Sequence, residues 1–200
     1  MTSNAVDWSA RYQSNDTPWD LGGAHPELAA RIAEGLVASP SSRRRAVVPG
    51  CGRGHDALAL ARAGWHVTAI DFVDPTGGLL GVQLSSLGGR LLIEDALAHT
   101  PEAPYDLIFE HTFFCAIDPG LRPRWSEFVA RSLAPEGQLC ALVFPVGKPA
   151  SEGGPPFGTT LADLLVALGE RFRARVDEPV RFGVSKRGWP ERWAVLERAR

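Results

Sequence analysis

The sequence predicts an α/β fold: a doubly wound, mostly parallel, seven-stranded sheet that finishes in a C-terminal antiparallel hairpin. Three observations carry this. A short apolar run, Ala46 to Pro49, opens into Gly50-Cys51-Gly52-Arg53-Gly54 and then a helical stretch, the strand–turn–helix order that starts a parallel unit. Further short strand-like runs end in acids, at Asp71, Asp95 and Glu110. The last 30 residues alternate polar and apolar in places, as two hairpin strands do.

Taken in order, Ala24 to Ala38 reads as a helix with Leu28, Ile32, Leu36 and Val37 on one face, ended by Pro40. Ala46 to Pro49 is the first strand. His55 to Ala63 is helical and stops at Gly64; Trp65 to Ile70 is the second strand. Arg90 to Ile93 and Tyr105 to Phe109 are the third and fourth. Asp118 and Pro119 supply an N-cap and first-turn signal for a helix to about Leu133. Gly137 punctuates before a fifth strand, Gln138 to Phe144. The proline- and glycine-rich stretch Pro145 to Gly158 is a loop. Thr159 or Thr160 caps a helix, Leu161 to Leu168, closed by Gly169, and Arg171 to Val180 and Arg192 to Leu196 form the hairpin.

Composition removes several classes. With 200 residues, 44% hydrophobic, the chain can bury a core without disulfide or metal staples. A net charge of −2 and a pI near 6.2 argue against a nucleic-acid partner. The one basic run, Arg43 to Arg45, reads as a solvated face. No window approaches a membrane span, and Met1 to Tyr12 lacks the basic and apolar regions of a signal peptide. Cys51, Cys115 and Cys140 show no CxxC spacing, which argues for a reducing cytoplasm and against a structural metal.

In an open parallel sheet, ligands bind beyond the carboxyl ends of the strands. Gly50, Gly52 and Gly54 permit a tight turn and close approach of a ligand to backbone. A dinucleotide site would place the third glycine one residue later, which weakens that alternative, and no Walker A lysine follows. Asp71 stands 21 residues after Gly50, where an acid can accept both hydroxyls of a ribose. Asp95, after the third strand, can meet an exocyclic amine. Together these suggest an adenosine ligand. His111 is the histidine placed after a strand and the candidate base or substrate contact. Cys115, four residues on, admits a Cys–His nucleophile, but its flanks Phe113, Phe114, Ala116 and Ile117 favour a buried thiol.

Four stretches carry a resemblance: Thr17-Pro18-Trp19-Asp20, Val48 through Asp56, Phe113 through Pro119, and Gly153-Gly154-Pro155-Pro156-Phe157. In order and over nearly the whole chain, they resemble the thiopurine S-methyltransferase superfamily, with its thiol, thiocyanate and halide methyltransferases. The resemblance implies a Rossmann-like class I methyltransferase: one domain over 1–200, with 1–40 as a helical cap above the cofactor. It implies that S-adenosylmethionine (SAM) binds and leaves as S-adenosylhomocysteine (SAH), with no metal. Trp8, Tyr12 and Trp19 match aromatic positions that close over the cofactor, and a sulfonium is attracted to such faces. Gly50, Cys51 and Gly52 match the turn under the methionine moiety, Asp71 and Phe72 the ribose side. Asp95 and Ala96 match the adenine contact, and Glu110 an acid after the fourth strand. Phe114 and Phe157 match acceptor-side positions.

Two departures shape the expectations. Between Asp71 and Asp95, where the family has an amphipathic helix, Gly77, Gly78, Gly81, Gly88 and Gly89 intervene. Each interior glycine costs about 1 kcal/mol of helix propensity, so a short or distorted helix is expected, with weaker SAM binding in consequence. Phe157 replaces the tyrosine of plant halide/thiocyanate relatives, and loss of that hydroxyl favours a larger apolar acceptor. The expected activity is methyl transfer from SAM to a small molecule, first a thiol sulfur; a halide, thiocyanate, oxygen or nitrogen acceptor is the alternative. A non-catalytic SAM/SAH-binding protein is the alternative of another class. The expected state is a monomer or weak homo-oligomer.

Overall fold

Strands Arg45–Pro49 (β1), His66–Asp71 (β2), Arg90–Ile93 (β3), Tyr105–His111 (β4), Leu133–Val143 (β5), Phe172–Pro179 (β6) and Arg192–Arg198 (β7) form one sheet in the order β3-β2-β1-β4-β5-β7-β6. The computed structural model describes residues 6–35, 37 and 44–199; Leu36 and residues 38–43, with Pro40 and Arg43, lie outside them. The pairings among the first five strands are parallel, and β7 lies antiparallel between β5 and β6. The order reverses between β1 and β4, so the crevice past their carboxyl ends is the topological switch point.

Helices cover both faces. Helix α1 is Trp8–Gln13, α2 Pro26–Ala33, α3 His55–Arg62, α4 Leu79–Ser86, α5 Arg122–Ser132 and α6 Leu161–Leu168. Leu28, Leu58, Leu60, Leu80 and Leu84 pack α2, α3 and α4 on one face; Trp125, Phe128, Leu164 and Leu168 pack α5 and α6 on the other. This two-sided cover explains why β1, β2 and β4 bury almost continuous runs of residues rather than alternate ones. Among the described residues no helix is long and apolar enough to cross a membrane.

Local chemistry sets the boundaries. The α2 helix is shorter than its apolar spacing predicts: His25 caps it with Pro26 in the first turn, and Gly35, at φ +75°, follows its end. Asp118 and Pro119 cap a 3-10 turn over Pro119–Leu121 that leads into α5. Thr160, not Thr159, forms a reciprocal capping box with Asp163 at the start of α6. Strand β5 begins at Leu133, earlier than predicted. Leu133 pairs with Tyr105, and the register then shifts so that Gln138 meets Leu107, which places Gly137 within a bulge instead of before the strand.

The glycine-rich segment gives a short helix, α4, with eight residues and no side-chain cap; Gly78 precedes it at φ +93°. Asp74 organises the turn before it, accepting from the Thr76 and Gly78 N–H groups. At Gly54, φ is +77° and a Cβ would stand 2.3 Å from Leu80 Cδ1. Gly81, inside α4, has open space beside it. Urea denaturation should therefore give opposite signs. Gly54→Ala lowers unfolding free energy by about 2–4 kcal/mol through left-handed strain and overpacking. Gly81→Ala raises it by about 0.5–1 kcal/mol.

Candidate functional site

The crevice at the switch point is lined by Trp19, Asp20, Leu21, Gly23, Val48, Gly50, Cys51, Gly52, Arg53, His55, Asp56, His111 and Thr112. Its floor is the turn after β1. Gly50 has φ +60°, and a Cβ there would lie 2.5 Å from the Phe113 ring. Gly52 donates its N–H to Asp71 Oδ2 at 2.7 Å, tying the β1 turn to the end of β2. Burial raises the Asp71 carboxyl pKa, partly offset by that N–H and by those of Val73 and Phe72.

The N-terminal segment roofs the floor. Trp8 and Tyr12 from α1 meet Trp19 edge to face, at ring-centroid distances of 5.4 and 5.7 Å. Tyr12 Oη stands 2.9 Å from where a Gly52 Cβ would be. Burial and the nearby Asp71 charge push the Tyr12 hydroxyl up to about 12. The Arg11 guanidinium sits 4.5 Å over Trp19, so these rings already attract a cation. Asp20 reaches down to Arg53 Nε at 2.8 Å and fastens this roof to the glycine turn.

A buried polar cluster lies at the end of β4. His111 Nδ1 is 2.6 Å from Asp56 Oδ2, and Arg187 Nη2 is 2.9 Å from His111 Nε2. Arginine can only donate, so Nε2 is the acceptor and Nδ1 carries the proton. Arg187 also donates to the Trp19 carbonyl at 3.2 Å and to Glu191 Oε1 at 2.5 Å, with Phe144 beneath it. Glu191 Oε2 meets His25 Nε2 at 3.2 Å and the Val184 N–H at 3.0 Å. Burial opposes the Glu191 charge, but the His25 bond and Arg187 bring the carboxyl down to about 2. Asp56 is likewise held below the ordinary range despite burial, by His111 and the His25 N–H. Burial lowers the His111 pKa, which keeps the ring neutral.

His25, His111 and Glu191 bring ligand-type atoms within 4.8 Å of one another, a donor set that zinc uses elsewhere. Here the Arg187 guanidinium already bonds two of the three. His25 Nδ1 accepts the Glu27 N–H, so its Nε2 carries the proton and has no lone pair for a metal. The cluster is a guanidinium site.

Trp19, Gly50, Cys51, Gly52 and His111 thus line one cleft, with Trp8, Tyr12 and Asp71 touching its walls. Phe72 stands exposed beside Asp71. Other expected site residues lie outside this lining. Phe114 is wholly buried, 4.6 Å from Trp125 in the α5-side core. Glu110 is buried, and its Oε1 accepts the Phe113 and Phe114 N–H groups at 2.8 Å each, so it holds the backbone after β4. Asp95 spends its carboxylate on the Leu97 N–H and Arg124, both at 2.9 Å, while Ala96 is buried in the core. Phe157 lies outside the cleft lining, its N–H on the Cys115 carbonyl. Cys115 is buried, which raises its thiol pKa strongly, and the hydrogen-bond partners of His111 are Asp56 and Arg187 rather than Cys115; the Cys–His nucleophile reading falls.

Reading the sequence missed His25 and Arg187 and gave Asp56 and Glu191 no role. Asp56 stood in the recognised glycine-turn motif. Arg187 carried no local signal, because the loop before β7 reaches the cleft only through the sheet.

This fold and switch-point site define a SAM-dependent methyltransferase of class I. The model of the thiopurine S-methyltransferase family matches residues 3–76 and 84–194, and the chain belongs to that family. It is 34% identical to "Probable thiol methyltransferase 2" of Arabidopsis thaliana, over 90% of this chain and 80% of that protein. It is 33% identical to "Thiocyanate methyltransferase 1" of the same plant, over 94% and 84%. Among solved structures, the 1,6-didemethyltoxoflavin-N1-methyltransferase of Burkholderia thailandensis with bound SAH superposes at a TM-score of 0.78. It is 20% identical, covering 97% of this chain and 86% of that one. The N-methyltransferase NodS of Bradyrhizobium japonicum with SAH gives 0.71 at 17% identity, over 98% of each chain.

Burial raises the Glu110 carboxyl from 4.5 to about 7. Its folded pKa exceeds the unfolded one, so its contribution is full below pH 4.5 and lost as pH rises through 7. Glu110→Gln keeps an oxygen acceptor for the two N–H groups. Denaturation from pH 5 to 8 should show wild type losing on the order of 2–3 kcal/mol relative to the variant. A pH-independent difference contradicts this.

Proposed function

We propose that this methyltransferase acts on a small thiol, with SAM held in the switch-point cleft. The observation that carries the SAM site is the convergence of the Gly50–Gly54 turn, the Asp71 carboxylate and the Trp8–Tyr12–Trp19 aromatic faces in one place. Asp71 would receive the ribose hydroxyls, and the exposed Phe72 ring beside it offers a flat apolar face to the base. The aromatic roof would hold the sulfonium and exclude water. Residues 6–35 then act as the cap, fastened by Asp20 to Arg53 and by Trp19 to Arg187.

SAM, when bound, supplies an electrophilic methyl group. The chain's own part is alignment and desolvation: the cleft walls orient the acceptor, and the roof strips its hydration. The thiol preference rests on the relative at 34% identity whose name carries thiol methyltransferase. Thiocyanate or halide is the second reading, favoured by the relative whose name carries thiocyanate.

Calorimetry with SAM and SAH, and product analysis with a thiol panel, iodide and thiocyanate, test this reading. Methyl sulfide formation is expected. Asp71→Asn should weaken SAH binding about tenfold, the loss of one or two hydrogen bonds to a charged group. Methylation of iodide but of no thiol would overturn the thiol preference, and binding of neither SAM nor SAH would overturn the site.

A further inference from the structure

We propose that Asp56 and His111 form a base dyad and that the acceptor enters the cleft still carrying its proton, a thiol or another protic nucleophile rather than an inorganic anion. This rests on the reading of the cleft as a methyl-transfer site and narrows what that site accepts.

The geometry is that of an oriented imidazole. Asp56 projects from the first turn of α3, whose start is fixed by Gly54. Its two oxygens are divided between the His25 N–H at 2.8 Å and His111 Nδ1 at 2.6 Å. This fixes the tautomer with the proton on Nδ1 and the lone pair on Nε2. A carboxylate that orients a histidine in this way readies the far nitrogen to take a proton. Both side chains line the cleft.

Besides Asp56, the groups facing His111 come from two further segments. Arg187 covers Nε2 from the loop before β7, Glu191 stands behind Arg187, and the His25 ring packs edge-on at 5.0 Å. Burial holds His111 neutral, while Asp56 pulls its pKa the other way. Arg187 retains two further acceptors, the Trp19 carbonyl and Glu191, when it releases Nε2. An arriving S–H can therefore replace the guanidinium N–H on that lone pair.

The step balances. The acceptor sulfur's electron pair forms a bond to the methyl carbon, and the carbon–sulfonium bond breaks with its pair going to the SAM sulfur, leaving SAH. The acceptor proton goes to His111 Nε2, where Asp56 stabilises the imidazolium until solvent takes the proton. A halide or thiocyanate ion has no proton to give, so a base adds nothing to its transfer. His111 is the catalytic residue and Asp56 a positioning residue.

The test combines pH–rate profiles with imidazole nitrogen-15 NMR on the whole protein, wild type, His111→Gln and Asp56→Asn. With a thiol of ordinary pKa, about 8.5, wild-type kcat/KM should rise to a plateau near neutrality. In His111→Gln it should track the thiolate fraction, climbing about tenfold per pH unit to the thiol pKa, with a loss of at least about tenfold at pH 7. The thiol-to-iodide activity ratio should fall by the same factor. Asp56→Asn keeps an oxygen for the His25 N–H, which protects the fold. Loss of its charge should lower kcat more than it raises KM and move the acid limb to lower pH. NMR should show the His111 proton on Nδ1 in wild type and a lower His111 pKa in Asp56→Asn.

A His111→Gln profile matching wild type, or an Nε2–H tautomer, would overturn the dyad. Turnover of iodide or thiocyanate without any thiol would overturn the protic acceptor while leaving the methyltransferase reading intact. Failure to bind SAH points instead to failure of the cleft assignment.

Discussion

The turn from Gly50 to Gly54 is the constraint on which the site depends. It must reverse the chain at the end of β1 with left-handed backbone while Phe113 and Leu80 press against it. Side chains at Gly50 or Gly54 would both strain the backbone and collide with those neighbours. Once the turn is made, its consequences follow in order. The Gly52 N–H points to Asp71 and joins β1 to β2. Helix α3 starts at His55, which sets Asp56 in its first turn, facing the end of β4. The sheet order then does the rest, because β1 and β4 are neighbours whose following segments diverge.

Five buried ionisable groups, Asp56, His111, Arg187, Glu191 and His25, meet at that divergence. Burying charge is expensive unless each group finds partners. Here every carboxylate oxygen of the two acids has a donor, and the guanidinium reaches a carboxylate, an imidazole and a carbonyl. The partners come from the start of α2, the start of α3, the end of β4 and the loop before β7. The cluster therefore fastens the N-terminal segment and the C-terminal hairpin to one side of the cleft. Removing one member takes a partner from its neighbour, which keeps the remaining bonds. The aromatic roof lies next to this cluster, linked through the Trp19 carbonyl. Attraction of cations to the rings on one side, and a proton acceptor on the other, give the cleft two chemically distinct ends.

Much of this was legible in the sequence, and the remainder was not for definite reasons. The parallel sheet, the glycine turn and the C-terminal hairpin follow from local patterns: apolar runs of strand length, glycines between a strand and a helix, and late alternation. The shortness of α4 follows from its glycines. Boundaries slipped where tertiary contacts decided them, as at β5, whose bulge is visible only in its pairing with β4. Expected site residues close to the glycine motif meet in one cleft because their spacing is local. For Glu110 and Phe114, position after a strand does not reveal which way a side chain turns; one ties down backbone and the other fills the core. Arg187 and His25 carried no local signal because the contacts that bring them to His111 join residues far apart in the chain.

The most direct test of the central claim, that the switch-point cleft is the SAM site, is a crystal structure of the protein with SAH. The ribose hydroxyls are expected on Asp71, the amino-acid portion along the Gly50–Gly52 turn, and the sulfur between Trp19 and His111. SAH placed elsewhere, such as the cavity beside β3 lined by Arg90, Leu92, Glu94 and His99, would contradict it.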